Sequence, residues 1–406
     1  MSERLRREAS ALPAGARGNH CGMNNREPFR PSKPTAGLPG APLAVIAELT
    51  HRCPLRCTYC SNPLQLQPAA NELDTAAWLE VFAQTAEMGV LHAHFTGGEP
   101  LLRPDLEQLV RGAHDAGLYT NLITSAIGLN DRRLTALEEA GLDHFQLSFQ
   151  DSEPEGANSI AGVPVHDKKV SWAKRLSNGP FAFTINLVVH RQNLDHLEQM
   201  LAFVESFSPQ RIEIANVQYY GWGFENRARL MPTREQVDRT IELVTAFQER
   251  MRGKITVDFV LPDYYARYPK ACMGGWGERL LLVDPSGDVL PCHAAKIIPG
   301  MHFANVRATP LREIWESSEA FQRFRGEEWM SEPCRSCERR TQDHGGCRCQ
   351  AFLLTGRAEA TDPACSLSPD HALVTDCALE TELVQVGAAS GGESQPLAWN
   401  YRVNPR

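Results

Sequence analysis

From position 43 onward the chain alternates short apolar runs with longer amphipathic stretches. The runs cover 44–49, 91–96, 120–124, 144–149, 181–190 and 211–219; each is rich in β-branched or aromatic residues and bounded by turn-forming or polar ones, as strands are. Between them, 73–88, 104–116, 131–140, 166–177 and 195–207 carry apolar residues mostly at helical spacing, and a last such stretch, 233–251, follows the sixth run. Asp74, Asn130 and Thr233 stand where N-cap side chains belong, and Gly89, Gly117 and Gly141 where helices end. Regular strand-helix alternation implies a parallel sheet with right-handed crossovers. Six units are too few to close an eightfold barrel, so the expected fold class is α/β, a partial (β/α)6 TIM-like barrel.

Past Gly253 helices become scarce, Pro and Gly are frequent, and cysteines crowd 272–365. Such a stretch has a modest apolar core for its length, and metal clusters are a natural source of rigidity. The expected organisation is an N-terminal disordered tail over 1–42, the barrel over 43–253, a bridging and cysteine-rich domain over 254–380, and a C-terminal tail over 381–406 in which Trp399 and Tyr401 are the residues able to dock.

The formal net charge of -8 disfavours a broad phosphate-binding face, so nucleic acid is not an expected partner. No apolar run approaches the roughly 18–20 residues that span a bilayer, and the first forty lack the apolar core of a secretory signal; no membrane partner and a cytoplasmic location are expected. Twelve cysteines under reducing conditions then point to metal ligation before disulfides.

Cys53, Cys57 and Cys60 form C-x3-C-x2-C directly after the first strand. A cubane iron-sulfur cluster has four irons, each needing a terminal ligand, so three thiolates leave one iron open. An open position can take a chelating group such as the amino and carboxylate of a methionine. The competing readings are reduced structural thiols or zinc, whose nearest spare ligand is His51, adjacent to the triad. At the end of the second strand, Thr96-Gly97-Gly98-Glu99-Pro100 offers backbone without side chains and a carboxylate able to accept from an ammonium.

On these two motifs the chain resembles the radical SAM superfamily. The resemblance implies a [4Fe-4S] cluster on Cys53, Cys57 and Cys60, and S-adenosylmethionine bound with its amino group at Gly97, Gly98 and Glu99. Thr124, Ser125, Ser148 and Gln150, at the ends of the third and fourth strands, stand where that superfamily presents polar groups to the ribose and carboxylate. Further on, Cys272, Gly287-x4-Cys292, Cys334-x2-Cys337, Cys347-x-Cys349 and Cys365 resemble the SPASM extension, which carries two auxiliary iron-sulfur clusters. The pattern asks for a cysteine at position 343, where this chain has Asp343; a carboxylate also ligates iron, as a harder ligand, and Cys349 is an additional thiolate. The resemblance implies one cluster on Cys272, Cys292, Cys347 and Cys349 and another on Cys334, Cys337, Asp343 and Cys365. A zinc-ribbon-like module is the alternative on spacing alone. Cys21 and Cys377 fall outside both patterns and read as free thiols.

Asp343 and the runs 48–55, 60–64, 218–222, 262–265, 291–295 and 363–369 resemble one branch of these enzymes, the PqqA peptide cyclase family. Thr58 departs from it, the family favouring Pro there. The resemblance implies a carbon-carbon crosslink between Glu and Tyr side chains of the precursor peptide PqqA, in pyrroloquinoline quinone biosynthesis. It also implies a PqqD peptide chaperone and a flavodoxin-type electron donor. Tyr219, Tyr220 and Trp222 are candidates to line the peptide site, and His190, Asp263 and Tyr264 to handle protons. The rival readings are another SPASM-type peptide or sulfatase maturase and, outside the enzymes, a structural metal-binding scaffold.

Overall fold

The computed structural model describes residues 40–378 and 398–405. The expected tail over 1–39, with Cys21, lies outside the described residues, as does 379–397.

One mixed sheet of nine strands organises the chain, in the order β7-β6-β5-β4-β3-β2-β1-β8-β9. The strands are β1 (Ala44–Thr50), β2 (His92–Gly97), β3 (Tyr119–Thr124), β4 (His144–Phe149), β5 (Ala182–Val189), β6 (Arg211–Asn216), β7 (Thr256–Val260), β8 (Leu280–Val283) and β9 (Val289–Leu290). β1 through β8 pair in parallel, and β9 folds back antiparallel on β8. The sheet does not close, since its two ends are β7 and β9.

The expected six strands are all present, but β7 and β8 add to them. β7 continues the alternation past the last amphipathic stretch, whereas β8 is four apolar residues in a Pro- and Gly-rich segment, too short to show a period. It pairs with the far side of β1, so residues after Gly253 build part of the barrel wall. The sixth run also ends early: β6 stops at Asn216, and 217–220 turn into a rim loop.

The crossover helices are α1 (Thr75–Glu87), α2 (Leu106–Asp115), α3 (Asp131–Glu139), α4 (Pro154–Ala161), α5 (His166–Leu176), α6 (Leu197–Glu205), α7 (Gly221–Glu225), α8 (Arg227–Leu230) and α9 (Arg234–Met251). Beyond the barrel come α10 (Leu311–Ser317), α11 (Glu319–Gln322), α12 (Arg340–Asp343) and α13 (Arg348–Thr355). The three expected N-caps form: Asp74 accepts from the Ala77 N–H, Asn130 from Arg133, and Thr233 closes a capping box with Gln236. Gly89, Gly117 and Gly141 adopt φ of 84°, 89° and 86° just past their helices.

Strand residues alternate between two environments, as period-two side chains must. Ala47, Phe95, Leu122, Phe145, Ile185 and Ile212 are fully buried against the helices, where Trp78, Phe82, Leu109 and Val204 meet them. Their neighbours Thr96, Ser148 and Asn186 face the hollow of the sheet. The hollow is therefore polar and open at the carboxyl ends of the strands, where parallel α/β sheets place their ligands.

Phe95 packs edge-on to Phe82 with ring centroids 5.5 Å apart, in the middle of this core. Phe95→Ala is expected to lower the unfolding free energy by about 3–5 kcal/mol. Leu91→Ala, at a position 52% exposed, should stay within about 0.5 kcal/mol of the parent. Denaturant titration of both variants checks this.

Candidate active site

The triad loop leaves β1 at Thr50 and is held by neighbouring backbone at several points. Gly98 N–H donates to Thr50 O at 2.6 Å and Glu99 N–H to Arg52 O at 2.8 Å, while Arg56 and Thr58 N–H donate to the carbonyls that end α4, Ala161 at 2.8 Å and Ile160 at 3.2 Å. The Thr58 N–H used here is one that a proline would lack. His51 does not line the cavity of the triad; its Nδ1 accepts from the Gln67 N–H at 2.8 Å and its Nε2 lies 3.5 Å from Glu48.

The two glycines have a steric reason. A Cβ on Gly97, whose φ is 127°, would lie 2.2 Å from Thr50 O, and one on Gly98 would lie 2.2 Å from Arg52 O. Their backbone therefore packs directly against the base of the triad loop.

Cys53, Cys57 and Cys60 line a cavity of about 290 Å³ together with Gly97, Gly98, Thr124, Ser125, Ser148 and Gln150. The structure thus gathers nearly every residue that the sequence assigned to the cluster and to S-adenosylmethionine. Glu99 is the exception, since it does not line the cavity. Its carboxylate is buried beneath, where Oε1 accepts from Thr124 Oγ1 at 2.6 Å and Leu101 N–H at 3.1 Å, and Oε2 from Ser125 N–H at 2.8 Å and Ser125 Oγ. Four donors use its acceptor capacity, and the acid ties the ends of β2 and β3 together. Burial raises its pKa against the pull of those bonds.

The thiols are in an environment hostile to free thiolates. Burial, and after it the neighbouring Cys57, push Cys53 well up, and burial with Cys60 pushes Cys57 up to about 12. Ionised thiols so placed require positive charge among them, which iron supplies. Among the described residues, no group of three or more His, Cys, Asp or Glu is gathered as a single metal ion requires. The donor set fits a multi-iron group standing in the cavity.

Several residues here were not legible in the sequence. Lys169 of α5 is fully buried, lies over the Phe149 ring, and donates to Gln150 Oε1 at 2.7 Å; Gln150 in turn donates to the Tyr59 hydroxyl at 3.0 Å. Burial lowers the lysine to about 8, while Cys57, Glu99 and Cys53 work to keep it charged. Its sequence neighbourhood, Lys168-Lys169 on an amphipathic helix, reads as a solvated face. Asn186, Asn216, Gln218 and Arg402 complete the wall.

The cysteines between 272 and 365 form two groups. Cys272, Cys292, Cys347 and Cys349 lie together in a small apolar core with Trp276, Leu282 and Tyr220. Cys347 caps α13 and accepts hydrogen bonds from Cys272 and Cys349, which draw its thiol down; it also shares a bond with the Tyr220 hydroxyl at 2.9 Å. Cys334, Cys337, Asp343 and Cys365 line a second pocket. His344, Gly345 and Gly346 are all left-handed, so the chain reverses between Asp343 in one group and Cys347 in the other. Buried Arg348 and Asp362 stand between the groups: Arg348 donates to Ala358 and Ala360 carbonyls, and Asp362 accepts from Cys347 N–H at 2.7 Å and Gln350 at 2.9 Å. Burial raises Asp362 to about 6. None of the described cysteines is in a disulfide, and Cys377 packs beside Tyr219, Tyr264 and Val374.

The candidate substrate and proton residues separate. Asn216, Val217 and Gln218 line both the triad cavity and a second hollow with Tyr219, Tyr220, Asp263, Tyr264 and Gln350. Asp263 pairs there with Lys270 at 2.9 Å, and burial raises its carboxyl. Trp222 is buried under Arg402. His190 is completely buried, burial takes it down to about 3, and it lines neither hollow; it holds the backbone of Gln192 and sits 5.9 Å from the Tyr59 ring. Its role is to support the loop after β5.

No helix among the described residues is long and apolar enough to cross a membrane. The profile of the Radical SAM superfamily matches residues 47–204, and that of the SPASM iron-sulfur cluster-binding domain matches 272–338. The PqqA peptide cyclase of Methylocella silvestris is 56% identical over 331 residues, 81% of this chain and 89% of the relative. That of Gluconobacter oxydans is 53% identical over 335 residues, covering 82% and 93%. Among solved structures, Streptococcus suis SuiB bound to S-adenosylmethionine superposes with a TM-score of 0.65 at 19% identity, over 81% of this chain and 78% of that one. The native anSMEcpe structure with bound AdoMet and the Kp18Cys peptide superposes at 0.60 and 16% identity, over 86% and 99%. These two likenesses establish the fold, an open radical SAM barrel with a SPASM extension, and the relatives establish the rest: the chain belongs to the PqqA peptide cyclase family of radical SAM enzymes.

Proposed function

We propose that this enzyme joins a Glu side chain of the precursor peptide PqqA to a Tyr ring by a carbon-carbon bond. One observation carries the reading: three half-buried thiols and the strand-end polar groups share one cavity, and 216–218 line both it and the hollow beside Tyr220, which bonds Cys347. When bound, the clusters and S-adenosylmethionine supply an electron and a 5'-deoxyadenosyl radical. The peptide loses one hydrogen atom from the Glu γ-carbon and a proton and electron from the ring, and the electron released equals the one spent. The two relatives described above, 56% and 53% identical, carry the cyclase name, which supports PqqA as substrate.

In this reading Cys53, Cys57 and Cys60 hold the radical cluster and leave one iron open. Gly97, Gly98, Thr124, Ser125 and Ser148 take S-adenosylmethionine, and Glu99 fixes Thr124 and Ser125 in place. Cys272, Cys292, Cys347 and Cys349 hold one auxiliary cluster; Cys334, Cys337, Asp343 and Cys365 hold the other. Tyr220, bonded to Cys347 and lining the shared hollow, orients the path by which the ring electron leaves. Asp263, which lines that hollow in an ion pair with Lys270, takes the ring proton in this reading. The radical site thus falls within 43–253 and the electron acceptors within 254–380. A PqqD chaperone, a flavodoxin-type donor and a cytoplasmic location complete the proposal; reduced clusters and free thiols persist in that compartment.

Anaerobic incubation with S-adenosylmethionine, reductant, PqqA and PqqD is expected to give peptide lighter by two hydrogens in mass spectrometry; 5'-deoxyadenosine with unchanged peptide overturns the substrate. Gly98→Ala should push the triad loop aside and reduce iron and sulfide retention at that site alone, read as loss of its EPR signal with the auxiliary signals kept. Tyr220→Phe removes the bond to Cys347 and is expected to lower crosslinked peptide roughly tenfold, the equivalent of about 1.4 kcal/mol, while 5'-deoxyadenosine is still formed.

A further inference from the structure

We propose that Arg402, brought in by the C-terminal segment 398–405, is a positioning residue of the radical site that holds the cluster on Cys53, Cys57 and Cys60 and eases its reduction. The inference rests on the reading of that triad given above.

The segment is docked, not draped. Asn400 and Asn226 exchange two bonds: Asn226 Nδ2 donates to Asn400 O at 2.8 Å, and Asn400 N–H donates to Asn226 Oδ1 at 2.9 Å. Asn226 is itself buried and donates to Thr58 O at 2.7 Å, inside the triad loop. On either side, Trp399 lies under Arg229 at 3.8 Å, and Tyr401 meets Arg56 at 5.4 Å while its hydroxyl donates to Ser159 O at 3.2 Å. Arg402 N–H donates to Arg56 O at 3.3 Å. A stretch of four residues thus engages the triad loop, the end of α4 and the turn between α7 and α8.

This docking delivers one long cation to the cavity. Arg402 is 1% exposed and lines the cavity that the triad lines. One guanidinium nitrogen donates to His51 O and another to Asn404 Oδ1, so its plane is fixed at the root of the loop. Among the described residues, Nε has no hydrogen-bond partner, although it is buried. The guanidinium shares the cavity with all three thiols, and its charge favours the ionised form of each. The other charged groups facing these thiols are Glu48, Glu99 and Lys169.

Burying a guanidinium costs several kcal/mol unless an anion meets it. Cysteine-ligated iron is that anion, and it gains a further negative charge on reduction. Charge and hydrogen bonds at the sulfurs are what set a cluster's potential, so a fixed cation favours the reduced form. Arg402 thereby does from the chain's far end what Lys169 does from α5.

The test is an EPR-monitored redox titration of full-length reconstituted protein, comparing Arg402→Gln and Arg402→Lys with the parent. In Arg402→Gln the ratio of reduced to oxidised radical cluster at a given potential should fall about tenfold, about 59 mV for one electron. Arg402→Lys should recover most of the difference. Equal midpoints in the parent and both variants overturn the proposal. If Arg402→Gln loses iron from this site, a parental midpoint in a fully loaded Arg402→Lys with normal iron retention also overturns it. The triad reading fails separately: a parent protein whose cluster signal ignores S-adenosylmethionine refutes it, whatever Arg402 does.

Discussion

Three half-buried thiols around one cavity repel one another once ionised, and the burial of their surroundings holds all three up as neutral thiols. Held together as thiolates they call for positive charge in the cavity, and the architecture is arranged to hold the loop that presents them. Gly97 and Gly98 let β2 lie against the loop's base, α4 offers it two terminal carbonyls, and Asn226 ties its middle. Lys169 and Arg402 bring the two cations that act on it, from α5 and from the C-terminal segment.

The same constraint explains the polar hollow of the sheet. A closed barrel with apolar layers leaves no room for a cofactor, whereas this sheet stays open between β7 and β9 and turns Thr96, Ser148 and Asn186 inward. The rim at 217–220 then serves two sites at once. Val217 and Gln218 wall the triad cavity, and Tyr220 reaches a cysteine contributed by α13. In the proposed reaction, the radical side and the electron-accepting side are separated by a few residues of one loop.

Much of this was written plainly in the sequence. C-x3-C-x2-C, the G-G-E-P turn and the later cysteine spacing are short-range signals; the structure brings the triad and both glycines to one cavity and the later cysteines into the two groups that the family resemblance implied. Asp343 is an instructive member, since its identity departs from the pattern while its place in the pocket beside Cys334, Cys337 and Cys365 does not. What stayed hidden depends on distant parts of the chain. Four residues of β8 show no period, and only pairing with β1 makes them a strand. Lys169 looks like a surface lysine until α5 turns it onto Phe149. Glu99 reads as a ligand-facing acid, yet the hydroxyls of Thr124 and Ser125, some twenty-five residues later, occupy it. Arg402 lies in a segment with no periodicity, and its place follows from Asn226 and Arg56.

The claim beneath all of this is that one iron among the three thiols is free to bind the methionyl end of S-adenosylmethionine. Electron-nuclear double resonance on the reduced, fully loaded protein with S-adenosylmethionine labelled at its amino nitrogen and carboxylate oxygen measures that contact directly. Hyperfine coupling of both labels to the cluster held by Cys53, Cys57 and Cys60 is the expected result. A loaded cluster that couples to neither label, with a side chain on every iron, contradicts it.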